Sequence, residues 1–448
     1  MRRFIVGLLA TIGALTVFAI AAGLYVASSG SLASRSLPET MVLSVDLRDL
    51  PSETPAVDLL GGLWRPSRDM ATTLQQLWRA ADDPRVVGLY VEIGDDQAGL
   101  ARVQELRRAI ARFRAKGKFA VGFAESFAPM GDHFADYYLA ASLNEIWLQP
   151  SGNFGVMGLA VETPFVKDGL NRLGVRIEGG KRHEYKSAPE TFTEQGFTGP
   201  ARENLQQLLD SLYGQFIDDA AADRKIEPSR LRRLVDSAPL AAPKAKDEGL
   251  VDKLGYRADA IEAVRQRAGA ARELVSLDEY GGETPRRRSS DPALALVRVS
   301  GTIISGSDDN SSPFSEETTA HADDVVDALD QATQAKEVKA IVLRIDSPGG
   351  TYPAADAIAD AVARARRAGK PVIVSMGDVA ASGGYLAAVR ADAIVAQAAT
   401  ITGSIGVFGM WPVAADLLKS LGISVERDRK STRLNSSHVS ESRMPSSA

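Results

Sequence analysis

The sequence predicts an α/β protein in which two copies of one unit follow an N-terminal transmembrane helix. The first observation is an internal repeat, since Val86–Lys118 aligns without a gap on Val338–Lys370 at a constant offset of 252 residues. The second is a strand–helix–strand rhythm in each copy, which is typical of right-handed βαβ crossovers and a parallel-rich sheet. The third is Phe4–Val26, a run of 23 residues without a charge.

The N-terminal apolar run predicts a membrane anchor. As a helix that rises ~1.5 Å per residue it would reach about 34 Å, which is enough to cross a bilayer. It is longer than the ~7–15 residues of a cleavable signal core, and the basic residues Arg2 and Arg3 should stay in the cytoplasm. We therefore expect a cytoplasmic segment at 1–3, a single inner-membrane span at 4–26 and the bulk of the chain in the periplasm. A signal peptide cleaved near Ala27 is the alternative, and it also exports the body of the protein.

The first copy is expected at residues 41–278, after a small polar tether at 27–40. Its strands are predicted from continuous β-branched or apolar runs, and its helices from apolar residues that recur every three or four positions. The predicted strands are Met41–Arg48, Val87–Ile93, Phe119–Phe123 and Val175–Glu178, and the predicted helices are Ala71–Ala81, Leu100–Ala115, Glu203–Phe216 and Pro228–Val235.

The second copy is expected at 293–430, after a linker at 279–292 that contains GGETPRRRSSDP. Its predicted elements repeat the first, with strands at Ala293–Ser300, Ala340–Ile345 and Pro371–Met376 and a helix at Pro353–Ala368. The copy lacks an equivalent of the helical part that carries the first copy to about Leu277. Residues 431–448 hold seven serines and no apolar period. We expect an incomplete second copy with a non-native tail; a genuine disordered tail is the alternative.

Composition argues against several functions. A net charge of −5 without a basic stripe gives no reason to expect nucleic acid. The absence of cysteine excludes disulfides, thiolate catalysis and cysteine-bound metal, and the four histidines lack metal-ligand spacing. The glycine runs Gly152–Gly158 and Gly403–Gly409 lack the spacing of dinucleotide loops. We therefore expect no metal and no cofactor.

One chemical difference separates the two copies. The second reads AASGGYLAA, with Ser382 before two glycines, where the first reads FADYYLAA, with Ala135 in the serine's place. Ser382 falls at a strand-to-helix turn, where backbone N–H groups would favour a developing oxyanion. A serine beside glycines is also common in plain turns. The asymmetry nevertheless suggests that only the second copy supplies a nucleophile.

A nucleophilic serine needs a base, and no histidine lies in a matching position near Ser382. His133 precedes Ala135, in the copy without the serine. A desolvated lysine could serve, and Lys186, in EGGKRHEYKSAPE, is the candidate; a solvated loop charge is the alternative. The SPGG run Ser347–Gly350 ends a predicted strand, where its amides could bind an oxyanion or an extended peptide, or form only a Pro-Gly turn.

Four motifs together resemble the signal peptide peptidase A family, also called protease IV, in its long, duplicated, membrane-anchored form. They are YKSAPETFT, RIDSPGG, SMGDVAASGGYLAA and TGSIGVFG, and the resemblance covers about residues 1–430. It implies tandem ClpP/crotonase-like domains, each a βαβ spiral, and a serine endopeptidase with a Ser–Lys dyad. Ser382 would be the nucleophile, Lys186 the general base and Ser404 the residue that orients the lysine. Gly383 and Gly350 match the oxyanion-hole positions.

The resemblance also implies a substrate and an assembly. The substrates would be leftover signal peptides in the membrane, and the chain would form bowl-shaped, tetramer-like homo-oligomers. The early end of the second copy departs from the family, and it puts the activity of this chain in doubt. A non-catalytic membrane scaffold is therefore one alternative. A crotonase-type acyl-CoA enzyme is another, which export to the periplasm disfavours.

Overall fold

The computed structural model describes Gly13, residues 15–18, and residues 37–54, 69–94, 99–129, 134–269, 273–282, 291–308 and 319–425. The expected signal anchor, the tether, the linker and the serine-rich tail lie wholly or mostly outside these ranges, as does His133. Within the described ranges, no helix has both the length and the apolar character to cross a membrane.

The elements of the first half alternate strands and helices through its N-terminal part and then become mostly helical. They are β1 (Met41–Leu47), α1 (Met70–Asp82), β2 (Val86–Ile93), α2 (Leu100–Ala115), β3 (Phe119–Ala124), α3 (Ala135–Ala141), β4 (Glu145–Leu148), β5 (Asn153–Phe154), α4 (Lys167–Arg172), β6 (Arg176–Lys181), α5 (Glu190–Thr193), α6 (Gly199–Arg224), α7 (Pro228–Asp236), β7 (Leu240–Ala241), α8 (Ala242–Asp247), β8 (Lys253–Leu254), α9 (Arg257–Ala268), β9 (Leu274–Ser276) and α10 (Leu277–Gly282).

The second half repeats the alternation. Its elements are β10 (Ala293–Ser300), β11 (Thr302–Ile304), β12 (Thr319–His321), α11 (Ala322–Gln334), β13 (Val338–Ser347), α12 (Tyr352–Arg367), β14 (Val372–Ala381), α13 (Gly383–Ala388), β15 (Ala393–Val395), β16 (Ile401–Gly403), β17 (Phe408–Val413) and α14 (Ala415–Ser420).

Each half is built on a parallel sheet. In the first half the strand order is β8-β4-β3-β2-β1-β9, and in the second it is β10-β13-β14-β15, with β16 also paired to β14. The internal repeat is visible in the registers, because the pairs Met41↔Val86 and Ala293↔Val338 each precede the same one-residue shift. The predicted α/β class with parallel sheets is confirmed.

The first sheet is covered on both faces, which explains its continuous apolar strands. Helices α1 and α2 cover one face, where Leu43 and Val91 of the sheet pack in one cluster with Phe113 of α2. Helix α9 covers the other face, where Val42 and Tyr90 pack with Val264. The sheet is thus the middle layer of three.

The second sheet packs α11 and α12 on one face, around Leu329, Leu343 and Ile358. Its opposite face meets the first half through ion pairs. Arg298 on β10 pairs with Asp69 at 3.0 Å, and the buried Arg344 on β13 binds both Glu53 and Glu105 at 2.6 Å. Ion pairs between residues that are far apart in sequence therefore join the two halves.

Two elements extend four or more residues beyond their predicted ends. Helix α6 starts at Gly199 instead of Glu203, because the Thr198 side chain accepts a hydrogen bond from the backbone N–H of Ala201, and it runs on past Phe216 to Arg224. Strand β14 continues five residues past the predicted end at Met376, to Ala381. That extension carries the chain directly to Ser382.

Candidate active site

Ser382 occupies a strained turn between β14 and α13. Its φ is +52°, a left-handed value that is uncommon for a residue with a side chain. Its N–H donates to the carbonyl of Gly403 at 2.8 Å, and its own carbonyl accepts from Leu386 at 2.9 Å. The backbone is thus fixed on both sides of the residue, and the Ser382 hydroxyl projects into a cleft.

Ser404 lies beside Ser382 because two strands run parallel. Strand β16 pairs with the end of β14, so that Gly403 stands opposite Ala381. The chain then turns through Ser404, which has a φ of +47°. The two hydroxyl-bearing turns of the second half therefore adjoin one another.

Lys186 reaches these turns through a pairing between the two halves. Strand β17, which follows Ser404, pairs antiparallel with β6, which precedes Lys186, and Phe408 stands opposite Lys181. The N–H of Arg182 extends the pairing with a 2.9 Å hydrogen bond to the carbonyl of Val407. The loop that carries Lys186 is consequently placed against the loop that carries Ser404.

A buried carboxylate stabilises the loop that carries Lys186. Glu190, at the start of α5, accepts a hydrogen bond from Lys181 Nζ at 2.5 Å and from Thr198 Oγ1 at 2.9 Å. Because Lys181 ends β6 and Thr198 precedes α6, Glu190 ties together both ends of the segment around Lys186. Glu190 was not singled out from the sequence, although it lies within YKSAPETFT and is an isolated acidic residue there.

The structure brings the three predicted side chains together within one chain. Lys186 Nζ lies 3.0 Å from Ser382 Oγ, 3.0 Å from Ser404 Oγ and 2.6 Å from the carbonyl oxygen of Ser404. An ammonium group could donate to all three oxygens. A neutral amine could donate to the two Ser404 oxygens and turn its lone pair toward the Ser382 hydroxyl. The site therefore accommodates either protonation state.

The surroundings of Lys186 favour its neutral form. The residue is only 3% exposed. In the described part of the chain, no carboxylate forms an ion pair with it. Burial therefore lowers the pKa of Lys186 from its ordinary value of 10.5. A lysine with a lowered pKa is a better proton acceptor near neutral pH.

Gly350 and Gly383 stand next to the Ser382 hydroxyl. A Cβ atom on Gly383 would lie 3.0 Å from the backbone nitrogen of Gly350, so the two amides are close neighbours. A Cβ on Gly350 would lie 1.9 Å from the carbonyl oxygen of Ile303, which β11 brings across the SPGG turn. The close contact between the backbones of Gly350 and Ile303 thus requires glycine at this position. A simple Pro-Gly turn would have no such requirement.

A cleft of about 870 Å³ opens over these groups. Its walls are mostly apolar, and the larger side chains among them are Tyr352, Tyr385, Leu386, Val389, Ile405 and Phe408. Several of these apolar side chains are substantially exposed, including Tyr352 and Ile405. The cleft therefore offers an apolar ligand a surface of the right size for several residues of an extended chain.

The equivalent place in the first half is filled. Ala135, the residue that matches Ser382, is buried at the start of α3. Phe134 before it stacks on Phe216 at 4.2 Å, and Tyr137 after it makes edge contacts with Phe127 and Phe154. The first half thus has a packed aromatic core where the second half has an open cleft.

No described group of three or more acidic or histidine side chains is arranged to hold a metal ion. The groups that converge around Ser382 in this cleft are its own hydroxyl, the Ser404 hydroxyl, the Lys186 amine and backbone amides. These groups suit acyl transfer by a serine nucleophile.

Two protein families match the sequence. Residues 127–271 and 364–439 match peptidase family S49, and residues 314–401 match the Clp protease family. The S49 matches include Lys186, Ser382 and Ser404, and the Clp match includes Gly350, Ser382 and Gly383. The two matches therefore overlap on the turn that carries Ser382.

Three curated relatives extend this similarity over most of the chain. Protease 4 of Haemophilus influenzae is 31% identical over 89% of this chain and 67% of its own length. Protease 4 of Salmonella typhi is 32% identical over 79% of this chain and 57% of its own length. The chloroplastic serine protease SPPA of Arabidopsis thaliana is 30% identical over 78% and 51%. The chain thus spans between about half and two thirds of the length of these relatives.

Proposed function

Since the chain belongs to peptidase family S49, we propose that it is a serine endopeptidase that cleaves apolar peptides with a dyad of Ser382 and Lys186. One observation carries the proposal: the amine of a buried lysine lies 3.0 Å from the hydroxyl of a serine in a strained turn, within an apolar cleft. A lysine whose charged form is disfavoured by burial is a suitable general base for a serine hydroxyl.

The mechanism follows from the positions of these groups. Neutral Lys186 accepts the proton of the Ser382 hydroxyl while Oγ attacks the carbonyl carbon of the scissile peptide bond. The oxyanion that forms accepts hydrogen bonds from the amides of Gly350 and Gly383. Protonated Lys186 then gives its proton to the leaving amine, which leaves an acyl group on Ser382. Water then attacks the acyl-enzyme while Lys186 accepts its proton. The bond between the acyl carbon and Ser382 Oγ breaks, Lys186 returns the proton to Oγ, and the acyl part of the substrate leaves as a carboxylic acid.

In this mechanism Ser404 orients the amine of Lys186. Its two oxygens accept hydrogen bonds from the lysine, so that the remaining position on the nitrogen faces Ser382. The amine is then held in one rotation about its Cε–Nζ bond. Because a long lysine side chain otherwise samples many rotamers, this contact reduces the entropy that must be lost at the moment of reaction.

The proposal includes a division of labour and a location. The first copy, residues 41–278, would supply the base, and the second, 293–430, the nucleophile. Residues 4–26 would anchor the chain in the inner membrane as a single span, with its bulk in the periplasm. Substrates would be cleaved signal peptides, whose apolar cores suit the walls of the cleft, and the chain would act as a homo-oligomer.

Active-site labelling tests the dyad directly. The full chain in detergent is treated with a fluorophosphonate, the modified residue is mapped by mass spectrometry, and cleavage of a Leu/Ala-rich peptide is followed in parallel. We expect modification at Ser382, and loss of both reactions in Ser382→Ala and Lys186→Ala. Ser187→Ala, which removes an exposed hydroxyl next to the lysine, is the matched control and should keep full activity.

Two results would contradict the proposal. Full activity in Lys186→Ala would show that another group accepts the proton, and the dyad would be wrong. A folded wild-type chain that neither reacts at Ser382 nor cleaves the peptide would favour a non-catalytic membrane scaffold instead.

A further inference from the structure

The strand that leads to Ser382 contains a bulge with a fixed shape. Strands β13 and β14 pair in register as far as Ile345↔Met376, but the next pair is Ser347↔Ala380, so Asp346 alone faces the three residues 377–379. Asp346 Oδ1 accepts a hydrogen bond from the N–H of Val379 at 2.9 Å. A Cβ on Gly377 would lie 2.9 Å from the Cβ of Asp346, so the bulge requires glycine there. The matching strands of the first half keep register to their last pair, Ile93↔Ala124.

The bulge directs the side chain of Asp378 to the first half of the chain. Asp378 Oδ1 accepts a hydrogen bond from the backbone N–H of Arg102 at 2.9 Å, and Arg102 Nε donates to Oδ2. Arg102 also donates to the carbonyl of Pro51 at 3.2 Å. Only 9% of Asp378 is exposed. A carboxylate and a guanidinium from the two halves thus form a largely buried pair.

Asp378 also caps a helix of the other half. Arg102 is in the first turn of α2, whose own N-cap, Gly99, has no side chain to offer. A Cβ on Gly99 would lie 2.0 Å from the Asp378 carboxyl carbon, so a side chain at this position would displace the capping carboxylate. A carboxylate at this end of a helix satisfies a free N–H and interacts favourably with the helix dipole. The capping residue of α2 is therefore supplied from 276 positions away in the sequence.

This contact is suited to control the geometry of the proposed dyad. Asp378 lies on β14, four residues before Ser382, whereas Lys186 is supplied by the half that contains α2. The β6–β17 pairing fixes the lysine against the Ser404 loop, and its paired residues are 176–181 and 408–413, outside the bulge. The Asp378–Arg102 pair is an attachment between the halves that lies on the strand of the nucleophile itself.

We propose that Asp378 and Arg102 are positioning residues for peptide cleavage, which hold the strand of Ser382 in register with the half that supplies Lys186. The proposal rests on the proposed function. Displacement of reacting groups by about 1 Å can reduce a rate roughly 100-fold, so a loosened strand should lower turnover without affecting substrate binding.

The test compares variants of the full chain by peptide cleavage, with active sites counted by fluorophosphonate labelling. We expect Asp378→Ala to lower kcat per labelled site about 10- to 100-fold, with KM within about twofold of the wild-type value. Asp378→Asn keeps the acceptor for the Arg102 N–H and should lose less. The acid limb of the pH profile should keep its midpoint, because the surroundings of Lys186 are unchanged. A general loss of folding would lower the number of labelled sites and leave kcat per site unchanged.

Asp69 offers a matched control. It also pairs with an arginine of the other half, Arg298, at 3.0 Å, and it also caps a helix, accepting from the N–H of Thr72 at 2.6 Å. Its contacts are with β10 and α1, however, and not with the strand of Ser382. We therefore expect Asp69→Ala to keep kcat per labelled site.

Each outcome bears on one proposal. Wild-type kcat per site in Asp378→Ala, or an equal loss in Asp69→Ala, would overturn the positioning role while the dyad stands. If the wild-type chain itself forms no Ser382 adduct and cleaves no peptide, the proposed function fails, and the positioning role falls with it.

Discussion

Ser404→Ala should lower the rate of cleavage by a predictable amount. In its neutral form the Lys186 amine has two N–H donors and one lone pair. The structure offers an acceptor for each donor, the carbonyl and the hydroxyl oxygen of Ser404, at 2.6 and 3.0 Å. The lone pair is thereby left for the Ser382 hydroxyl. Removal of the Ser404 hydroxyl leaves one buried N–H without its partner and lets the amine rotate.

The magnitude follows from the cost of an unpaired buried donor. A buried polar group that loses its hydrogen bond costs about 1–3 kcal/mol, which corresponds to roughly 5- to 150-fold in rate if the cost falls on the reactive state. The substitution introduces no new backbone strain, because alanine and serine tolerate the φ of +47° about equally. Folding should therefore be nearly unaffected, and the loss should appear in kcat.

The assay is the initial rate of peptide cleavage across pH, normalised to labelled Ser382. We expect the plateau to fall about 5- to 150-fold in Ser404→Ala. The midpoint of the acid limb should not move to higher pH, because the loss of an acceptor disfavours the ammonium more than the amine. Thr402→Val is the control, since Thr402 lies on β16 two residues before Ser404. Its hydroxyl donates to the carbonyl of Ala380 on β14 at 2.7 Å, and no hydrogen bond joins it to the lysine. A plateau in Ser404→Ala above half of the wild-type value would refute the orienting role.

Two further predictions follow from burial and from the close approach at the SPGG turn. Because burial lowers the pKa of Lys186, kcat/KM should rise with pH through a limb whose midpoint lies below 10.5, and a midpoint at or above 10.5 would contradict this. The free energy of unfolding of the wild type, relative to that of Lys186→Met, should rise with pH between the lowered pKa and 10.5, because the unfolded chain binds more protons there. Gly350→Ala should reduce kcat about 100- to 1000-fold, because its Cβ meets the carbonyl of Ile303 and displaces a proposed oxyanion donor. Gly214→Ala, on α6 with open space around it, is the control and should keep activity, whereas wild-type kcat in Gly350→Ala would exclude that amide from the reaction.

Much of the fold could be predicted from local pattern. Helix α2 spans Leu100–Ala115 as predicted, because its apolar spacing continues over four turns and Gly117 ends it. The end of β14 could not be predicted, because the bulge depends on Asp346, a residue of another strand, and on the space that Gly377 leaves. Long-range pairing of this kind has no local signal in a single sequence.

The candidate site divides in the same way. Ser382 was singled out by comparison of the two copies, since its partner is Ala135. Lys186 could not be distinguished by pattern from other loop lysines, and it was selected by resemblance to a known motif. What places it 3.0 Å from Ser382 is the pairing of β6 with β17, which connects segments more than 220 residues apart. Asp378 and Glu190 were not singled out at all, because their roles depend on partners that only the folded chain brings near.

Lys186 and Ser382 are 196 positions apart in the sequence, so the ribosome adds the serine some time after the lysine. At ~5–20 residues per second, the lysine is synthesised roughly 10–40 s before the serine. The first half can complete its own sheet during that interval. Its lysine has no serine hydroxyl to deprotonate until Ser382 has been synthesised. The reactive pair then forms only when β17 has emerged and joined β6. Under the proposed function, a protease divided in this way has no competent site with which to attack its own unfinished chain.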